Sequence, residues 1–166
     1  EAEASELGPE PAVAGAEGNP GAMTMADLVV VMGEGRVHQT GSPVEIYRRP
    51  ADAFVASFIG STNLVPARPD GGDALVPGGR IPGVAVPSAG ATLSIRPEDI
   101  ALADTEAASV IGTVTFVRDL GATIEVFIDC DGTEVIAETQ RRRRPMAIGD
   151  RVGLVIDAGH CVVLIA

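Results

Sequence analysis

The chain has 166 residues, 46% of them hydrophobic, so it can bury the core of one mid-sized domain or two small ones. All 12 basic residues are arginines, which excludes chemistry that needs a lysine amine, such as a Schiff base or a Walker A loop, from these residues. The net charge of −11 and an aromatic content of 3% disfavour a nucleic-acid partner and direct binding to anionic lipid. No signal peptide or membrane-crossing apolar run is visible, so we expect contact with a membrane only through a partner.

Residues 1–21 differ in composition from the rest of the chain, because they are rich in Glu, Ala, Gly and Pro and contain no arginine. Such a segment buries too little apolar surface to offset the entropy lost on ordering. We expect a disordered tail or an added leader sequence here.

Residues 28–32 form a continuous apolar run, which predicts a strand buried on both faces. The turn at 33–35 and the alternating residues 36–40 predict the second strand of a hairpin. Ser42 then precedes Pro43 in a typical helix start, and a second helix is predicted over 51–59. Its apolar face consists of Phe54, Val55, Phe58 and Ile59.

From Leu64 onward, Gly and Pro recur every few residues, which indicates short strands and turns. Asp131-Gly132 is the strongest hairpin signal of the chain. Many short strands with frequent turns predict a small closed barrel or a sandwich. The predicted strands are residues 92–95, 111–117, 122–130, 133–137, 151–156 and 161–165.

The chain shows no nucleophile–base pattern, so we expect no catalytic residue. Cys130, His160 and Cys161 could supply three metal ligands, but both cysteines lie in strand-like runs. Free cysteines in such runs usually pack as small hydrophobic residues, so we expect no metal site.

Two charged segments are candidates for binding. The turn at 96–99 holds either a local pair between Arg96 and a carboxylate or a contact with a partner or ligand. The four arginines 141–144 form either a solvated loop or a phosphate or sulfate site. The candidate contact residues are Arg96, Glu98, Asp99, Arg118, Arg141 and Arg142.

Several runs together carry a resemblance to a known family. These are AMTMADLVVVMGEGRVHQTGSP (22–43), EIYRRPA (45–51), FVASFIG (54–60) and IRPEDI (95–100). Their order and spacing resemble the last part of the nucleotide-binding domain of ABC importer ATPases. The resemblance is greatest to the subfamily that serves sugars, polyamines and ferric iron, in which a transport-associated OB-type β-domain, the TOBE domain, follows the ATPase domain.

The resemblance implies three regions: a tail (1–21), the end of the nucleotide-binding domain (22–63) and an OB-like TOBE domain (64–166). The expected fold is mainly β, a small OB-like barrel preceded by a hairpin and one or two short helices. The family's Walker A loop is excluded by the lack of lysine, and no switch histidine stands near Glu17, where the family spacing would place it. We therefore expect a C-terminal fragment of such a subunit, or a truncated product with an unrelated N-terminus.

On this resemblance the chain is a non-catalytic regulatory and dimerisation module that binds no cofactor, although the family uses ATP and Mg²⁺. The expected partners are a second copy and, through the absent ATPase domain, permease subunits at the cytoplasmic face of the membrane. The strand at 28–32 and the apolar helix face are expected to be exposed and to drive self-association. The alternatives are a small-oxyanion or sugar sensor, using Arg96, Arg118 or the arginine run, and a nucleic-acid-binding OB domain.

Overall fold

The computed structural model describes residues 13–14, 27–140 and 146–165 of the chain. These residues divide into two compact units, with the boundary between Gly60 and Ser61. We call residues 1–60 unit 1 and residues 61–166 unit 2. Apart from residues 13–14, the predicted tail over 1–21 lies outside the described residues.

Unit 1 contains a three-stranded sheet. Strand β1 (Val13–Ala14) pairs in parallel with β2 (Leu28–Gly33), and β2 forms an antiparallel hairpin with β3 (Arg36–Gly41). The two turn residues, Glu34 and Gly35, have φ values of 51° and 75°, as a two-residue type I′ turn requires. The predicted hairpin is confirmed.

The burial of β2 differs from the prediction. Val29 and Val31 are buried, whereas Val30 is half-buried and Met32 is 61% exposed. The prediction of a strand buried on both faces is wrong, because this strand lies in an antiparallel hairpin and alternate side chains point to opposite faces.

Two short helices follow β3 in unit 1. Helix α1 (Pro43–Arg48) begins after Ser42, whose Oγ accepts a hydrogen bond from the N–H of Glu45 (3.3 Å). Helix α2 (Ala53–Phe58) is shorter than predicted, because Asp52 caps its start and accepts a hydrogen bond from the N–H of Val55 (2.9 Å). The described core of unit 1 consists of Val29, Val31, Ile46, Val55 and Ile59.

The predicted apolar face of α2 is mostly covered within unit 1. Val55 and Ile59 are 0% and 7% exposed, and Phe58 packs against the same core. Phe54 is 37% exposed and stacks on the ring of His38 at 4.3 Å. The expectation of an exposed face is therefore wrong for Val55 and Ile59, because β2 and α1 supply their packing partners.

The described part of unit 2 contains ten strands. They are β4 (Asn63–Asp70), β5 (Asp73–Val76), β6 (Gly79–Ile81), β7 (Ala91–Ile95), β8 (Ile100–Ala103), β9 (Val110–Asp119), β10 (Thr123–Cys130), β11 (Thr133–Gln140), β12 (Arg151–Ile156) and β13 (Val162–Leu164). They form one sheet of order β11-β10-β9-β6-β5-β4-β7-β13, with β12 paired to β8 and β9. Three short 3-10 turns, Pro97–Asp99, Thr105–Ala107 and Ala158–His160, connect strands.

The sheet curls around one apolar core, which includes the fully buried Leu93, Ile128 and Leu154. Phe127 pairs with Phe116 and Ile128 with Val114, so β9 carries one extra residue between these pairs. A bulge of this kind bends the strand and increases its twist, which favours a curled sheet.

The side chain of Asn63 joins β4 to β11, the strand at one end of the sheet. Its Nδ2 donates hydrogen bonds to the carbonyl oxygens of Ile136 (2.8 Å) and Ile95 (3.2 Å), and its Oδ1 accepts one from the N–H of Ile136 (2.7 Å). The buried amide thus replaces backbone hydrogen bonds between strands. It connects β4 to β11, which is not its neighbour in the strand order, so the sheet is curled. The mainly β, OB-like fold is confirmed. Among the described residues, no helix is long and apolar enough to cross a membrane.

Candidate functional site

Arg96 follows β7 and is only 6% exposed. Its Nη1 donates a hydrogen bond to the carbonyl oxygen of Ser61 (3.0 Å), two residues before β4 begins. The guanidinium therefore binds the backbone of its own unit. The sequence left open either a local pair between Arg96 and a carboxylate or a contact with a partner or ligand, and it could not reveal Ser61, which is 35 residues away in sequence.

Glu98 and Asp99 lie in the 3-10 turn after Arg96 and line a cleft of about 390 Å³, together with Glu138 and His160. The Nδ1 of His160 is 3.7 Å from Oδ1 of Asp99. Three carboxylates give this cleft a negative potential, which does not suit an anionic ligand. Within the described ranges, no cluster of three or more residues is arranged to hold a metal ion.

Arg118 of β9 is paired with Glu125 of β10, directly across the ladder. Its Nε donates to Oε2 of Glu125 (2.7 Å), and its guanidinium carbon lies 5.3 Å from the ring centre of Phe127. Glu125 is 7% exposed, so Arg118 compensates a carboxylate that would be costly to bury alone. The remaining two candidates, Arg141 and Arg142, lie outside the described residues.

A second cleft, of about 560 Å³, is lined by β4, β5 and β7 and was not found from the sequence. It opens where β4 changes partner, because residues 63–67 pair with β7 and residues 68–70 pair with β5. Arg68 is exposed at this cleft and forms no ion pair with the residues that the structure describes. Pro66 and Pro69 lie on either side of Arg68 in the sequence. Because proline cannot donate a hydrogen bond to a neighbouring strand, these two residues could have indicated that the pairing of this strand is interrupted.

Both cysteines are poor nucleophiles and poor metal ligands. Burial, followed by the charges of Asp129 and Asp131, raises the pKa of Cys130 to about 11. Burial, with Asp157 and Asp99, raises the pKa of Cys161 to about 11 as well. The thiols are therefore protonated near neutral pH, whereas metals bind the thiolate. Cys130 lies in the core of unit 2.

Unit 1 contains a buried histidine that sequence reasoning missed. The Nδ1 of His38 lies 2.7 Å from Oδ2 of Asp52, and its Nε2 is buried with no hydrogen-bond partner in the described part of the chain. Partial burial raises the pKa of Asp52, but the hydrogen bonds from His38 and Val55 and the charges of His38 and Arg36 outweigh it. The pKa of Asp52 is therefore below its ordinary value of 3.8.

Residues 93–164, which lie within unit 2, match the family model described as the TOBE domain.

Most of the chain is similar to ATP-binding subunits of importers. It is 37% identical over 151 residues to the sn-glycerol-3-phosphate import ATP-binding protein UgpC of Chromohalobacter salexigens, covering 86% of this chain and 41% of that protein. It is 34% identical over 144 residues to the Fe(3+) ions import ATP-binding protein FbpC of Streptomyces coelicolor, covering 86% and 41%. A shorter stretch of 82 residues is 51% identical to the sulfate/thiosulfate import ATP-binding protein CysA 2 of Chromobacterium violaceum, covering 48% and 22%.

These comparisons confirm the resemblance to ABC importer ATP-binding subunits. The chain spans less than half the length of these relatives. Among solved structures, it is similar to the cytoplasmic molybdate-binding protein ModG, at 14% identity and a TM-score of 0.48, over 64% of this chain and 96% of that one. No function follows from a likeness at this level.

Proposed function

We propose that this chain is a non-catalytic regulatory and self-association module of an ABC importer ATP-binding subunit. The observation that carries the proposal is the TOBE match over residues 93–164, in a chain whose 166 residues include no lysine. A Walker A loop needs a lysine at the phosphates of ATP, so these residues cannot form that phosphate site. ATP and Mg²⁺ are accordingly cofactors of the family and not of these residues.

The partners follow from the same proposal. The relatives are named as import ATP-binding proteins, and the module would act beside an ATPase domain that engages permease subunits at the cytoplasmic face of the membrane. Its acidic charge and low aromatic content argue against nucleic acid. Self-association supplies a physical means of regulation, because a contact between two modules can bias how two attached ATPase domains meet.

Phosphate release from ATP by the purified chain tests the non-catalytic part of the proposal. We expect the rate with Mg²⁺ and ATP to equal that of the buffer, and we expect no heat of ATP binding by calorimetry. A preparation purified in the same way from cells that do not express the chain is the control for contaminating ATPases. Turnover above that control, which rises in proportion to chain concentration, would overturn the proposal.

A second candidate function, a sensor of small oxyanions or sugars, is favoured by one observation. The cleft between β4, β5 and β7 presents Arg68, an exposed arginine without an ion pair in the described chain. A guanidinium in this position can bind an oxyanion through two parallel hydrogen bonds. Arg96 and Arg118, by contrast, are engaged with Ser61 and Glu125.

Calorimetry with sulfate, phosphate, sn-glycerol 3-phosphate, molybdate and maltose tests the sensor. Two relatives are named for the import of sulfate/thiosulfate and of sn-glycerol 3-phosphate, which makes these anions the first choice. Binding to the cleft predicts that Arg68→Gln abolishes the heat, whereas Arg151→Gln, at an exposed arginine of β12, leaves it unchanged. Absence of heat from all five compounds would reject the sensor.

A further inference from the structure

One face of β4 and β5 brings an arginine beside apolar side chains. Arg68 is directly opposite Leu75 in the β4–β5 ladder, so the two side chains lie side by side on the same face. Pro66 lies two residues before Arg68 on β4, which places it on that face as well, and it is opposite Thr92 of β7. These four residues all line the cleft of about 560 Å³, which we call the Arg68 cleft.

The walls of the Arg68 cleft are mostly apolar. Eight of its ten lining residues carry no polar side-chain atom, and Arg68 is the only one of the ten with a charged side chain. Leu75 is 47% exposed and Ala89 is exposed as well, so the apolar surface is open to a ligand. A cleft of this volume is within the range of sites for small organic molecules, whereas an inorganic oxyanion would leave most of it to water.

The neighbouring carboxylates do not neutralise Arg68. Asp70 and Asp73 are opposite each other in the next row on the same face, and both are paired with Arg80 of β6, at 3.2 Å and 3.6 Å. Arg68 is exposed and forms no ion pair within the described chain, so its N–H donors are available to a ligand. The two nearby carboxylates disfavour a ligand that carries more than one negative charge.

We propose that the Arg68 cleft binds a small aliphatic carboxylate. The carboxylate accepts two parallel hydrogen bonds from the guanidinium, and the hydrocarbon chain packs on Leu75 and on the prolines of the cleft, Pro66 and Pro77. Such a ligand occupies the same cleft as that of the second candidate function, but it belongs to a different chemical class from the small oxyanions and sugars considered there.

Other ligand classes fit the same walls less well. A cation would meet Arg68, and an inorganic dianion would meet a single arginine close to Asp70 and Asp73. A neutral sugar would find few partners, since only Arg68 and Thr92 among the ten lining residues have polar side chains. None of the ten is aromatic, so a nucleotide base would have no ring to stack on. A carboxylate with a short hydrocarbon chain uses both the arginine and the apolar walls.

NMR titration of the isotope-labelled chain with acetate, butyrate and hexanoate, at constant ionic strength, tests the ligand class. We expect amide shifts confined to the residues that line the cleft. We expect the dissociation constant to fall about twofold to fourfold for each added methylene, since each one buries more apolar surface. Hexanol and hexylamine carry the same chain without the carboxylate and should bind about tenfold or more weakly than hexanoate.

Two pairs of variants test the two parts of the site. Arg68→Gln should weaken hexanoate binding about tenfold or more, because it removes the charged donors, whereas Arg151→Gln, at an exposed arginine of β12, should have no effect. Leu75→Ser should weaken hexanoate binding and leave acetate unchanged, because only the longer chain reaches the apolar wall. Val155→Ser, at a similarly exposed position (43% against 47%), should change neither. Circular dichroism shows whether every variant retains the β fold.

An anionic head group joined to a hydrocarbon chain also occurs in lipids, so vesicles of phosphatidylglycerol form a further arm of the experiment. We expect no co-sedimentation with these vesicles, because the chain has a net charge of −11. Co-sedimentation that Arg68→Gln abolishes would assign the cleft to a lipid surface and overturn a free carboxylate as its ligand.

The outcomes separate this site from the second candidate function. Absence of hexanoate shifts at tens of millimolar, equal affinities for acetate and hexanoate, or shifts that Arg68→Gln does not reduce would each overturn the carboxylate site. Sulfate or phosphate binding that depends on Arg68, without hexanoate binding, would overturn it and leave the oxyanion sensor standing. Hexanoate binding as expected, with no heat from the small oxyanions and sugars, would support the carboxylate site and reject only that sensor.

Discussion

The two units differ in the number of apolar side chains that they bury. Among the residues that the structure describes, the buried core of unit 1 consists of five residues, and the unit has one three-stranded sheet and two helices of six residues each. The described core of unit 2 contains eighteen buried residues from a curled ten-stranded sheet. Helices this short are marginal without tertiary packing, and stability from burial rises with the size of the core. We therefore expect unit 2 to carry most of the stability and unit 1 to unfold first.

The largest effect is expected from Ile128→Ala in the centre of unit 2. Ile128 is 0% exposed, and truncating a fully buried Ile costs about 2–5 kcal/mol through lost burial and the cavity left behind. Urea denaturation followed by circular dichroism measures the loss. Val155→Ala is the control, because Val155 is 43% exposed and should cost much less. Equal losses in the two variants would contradict the assigned core.

A smaller loss is expected from Asn63→Ala. The amide makes three hydrogen bonds to Ile95 and Ile136, and removing it leaves buried polar groups without partners, at about 1–3 kcal/mol. Asn63→Asp keeps the acceptor for the N–H of Ile136 but removes the donor, so we expect it to fold less stably than wild type too. Unchanged urea midpoints for both variants would show that this amide does not hold β4 to β11.

The next largest loss of stability is expected in unit 1. Asp52 caps α2, and Asp52→Ala should cost about 0.5–2 kcal/mol of the stability of unit 1. Because its folded pKa is below 3.8, ionised Asp52 stabilises the folded state above that pH, and the contribution is lost as pH falls through the folded pKa. Asp52→Asn keeps a capping oxygen and should flatten this acid dependence. An unchanged acid dependence in Asp52→Asn would contradict the role of its pair with His38.

The effect that is smallest near neutral pH concerns the thiols of unit 2. Their pKa values are raised from 9.0 to about 11, so the folded state is favoured below pH 9 and loses that advantage as pH rises towards 11. Labelling by iodoacetamide at pH 8 should therefore be slow in the folded chain and fast in urea. Rapid labelling of the folded chain at that pH would contradict the raised thiol pKa values of Cys130 and Cys161.

Local signals in the sequence predicted much of the fold. Asp131 and Gly132 have φ values of 46° and 83°, so the tight turn expected from this dipeptide forms as predicted. The strand predicted over 151–156 has the same bounds in the structure. These predictions succeeded because turn chemistry and alternation are encoded by neighbouring residues.

Features that depend on distant residues were missed. The strands β5, β6 and β8 were not predicted, because their segments are short and their pairing depends on other strands. The burial of Arg96 depends on Ser61, which is 35 residues away in sequence. The cleft at Arg68 exists only because β4 pairs with two different strands. Nothing in a local pattern reveals such partners.

The central proposal is that this chain associates with itself, and its mass in solution tests that proposal most directly. Light scattering at tens of micromolar should give about twice the 16.9 kDa of a single chain. A mass of 16.9 kDa throughout that concentration range would contradict it.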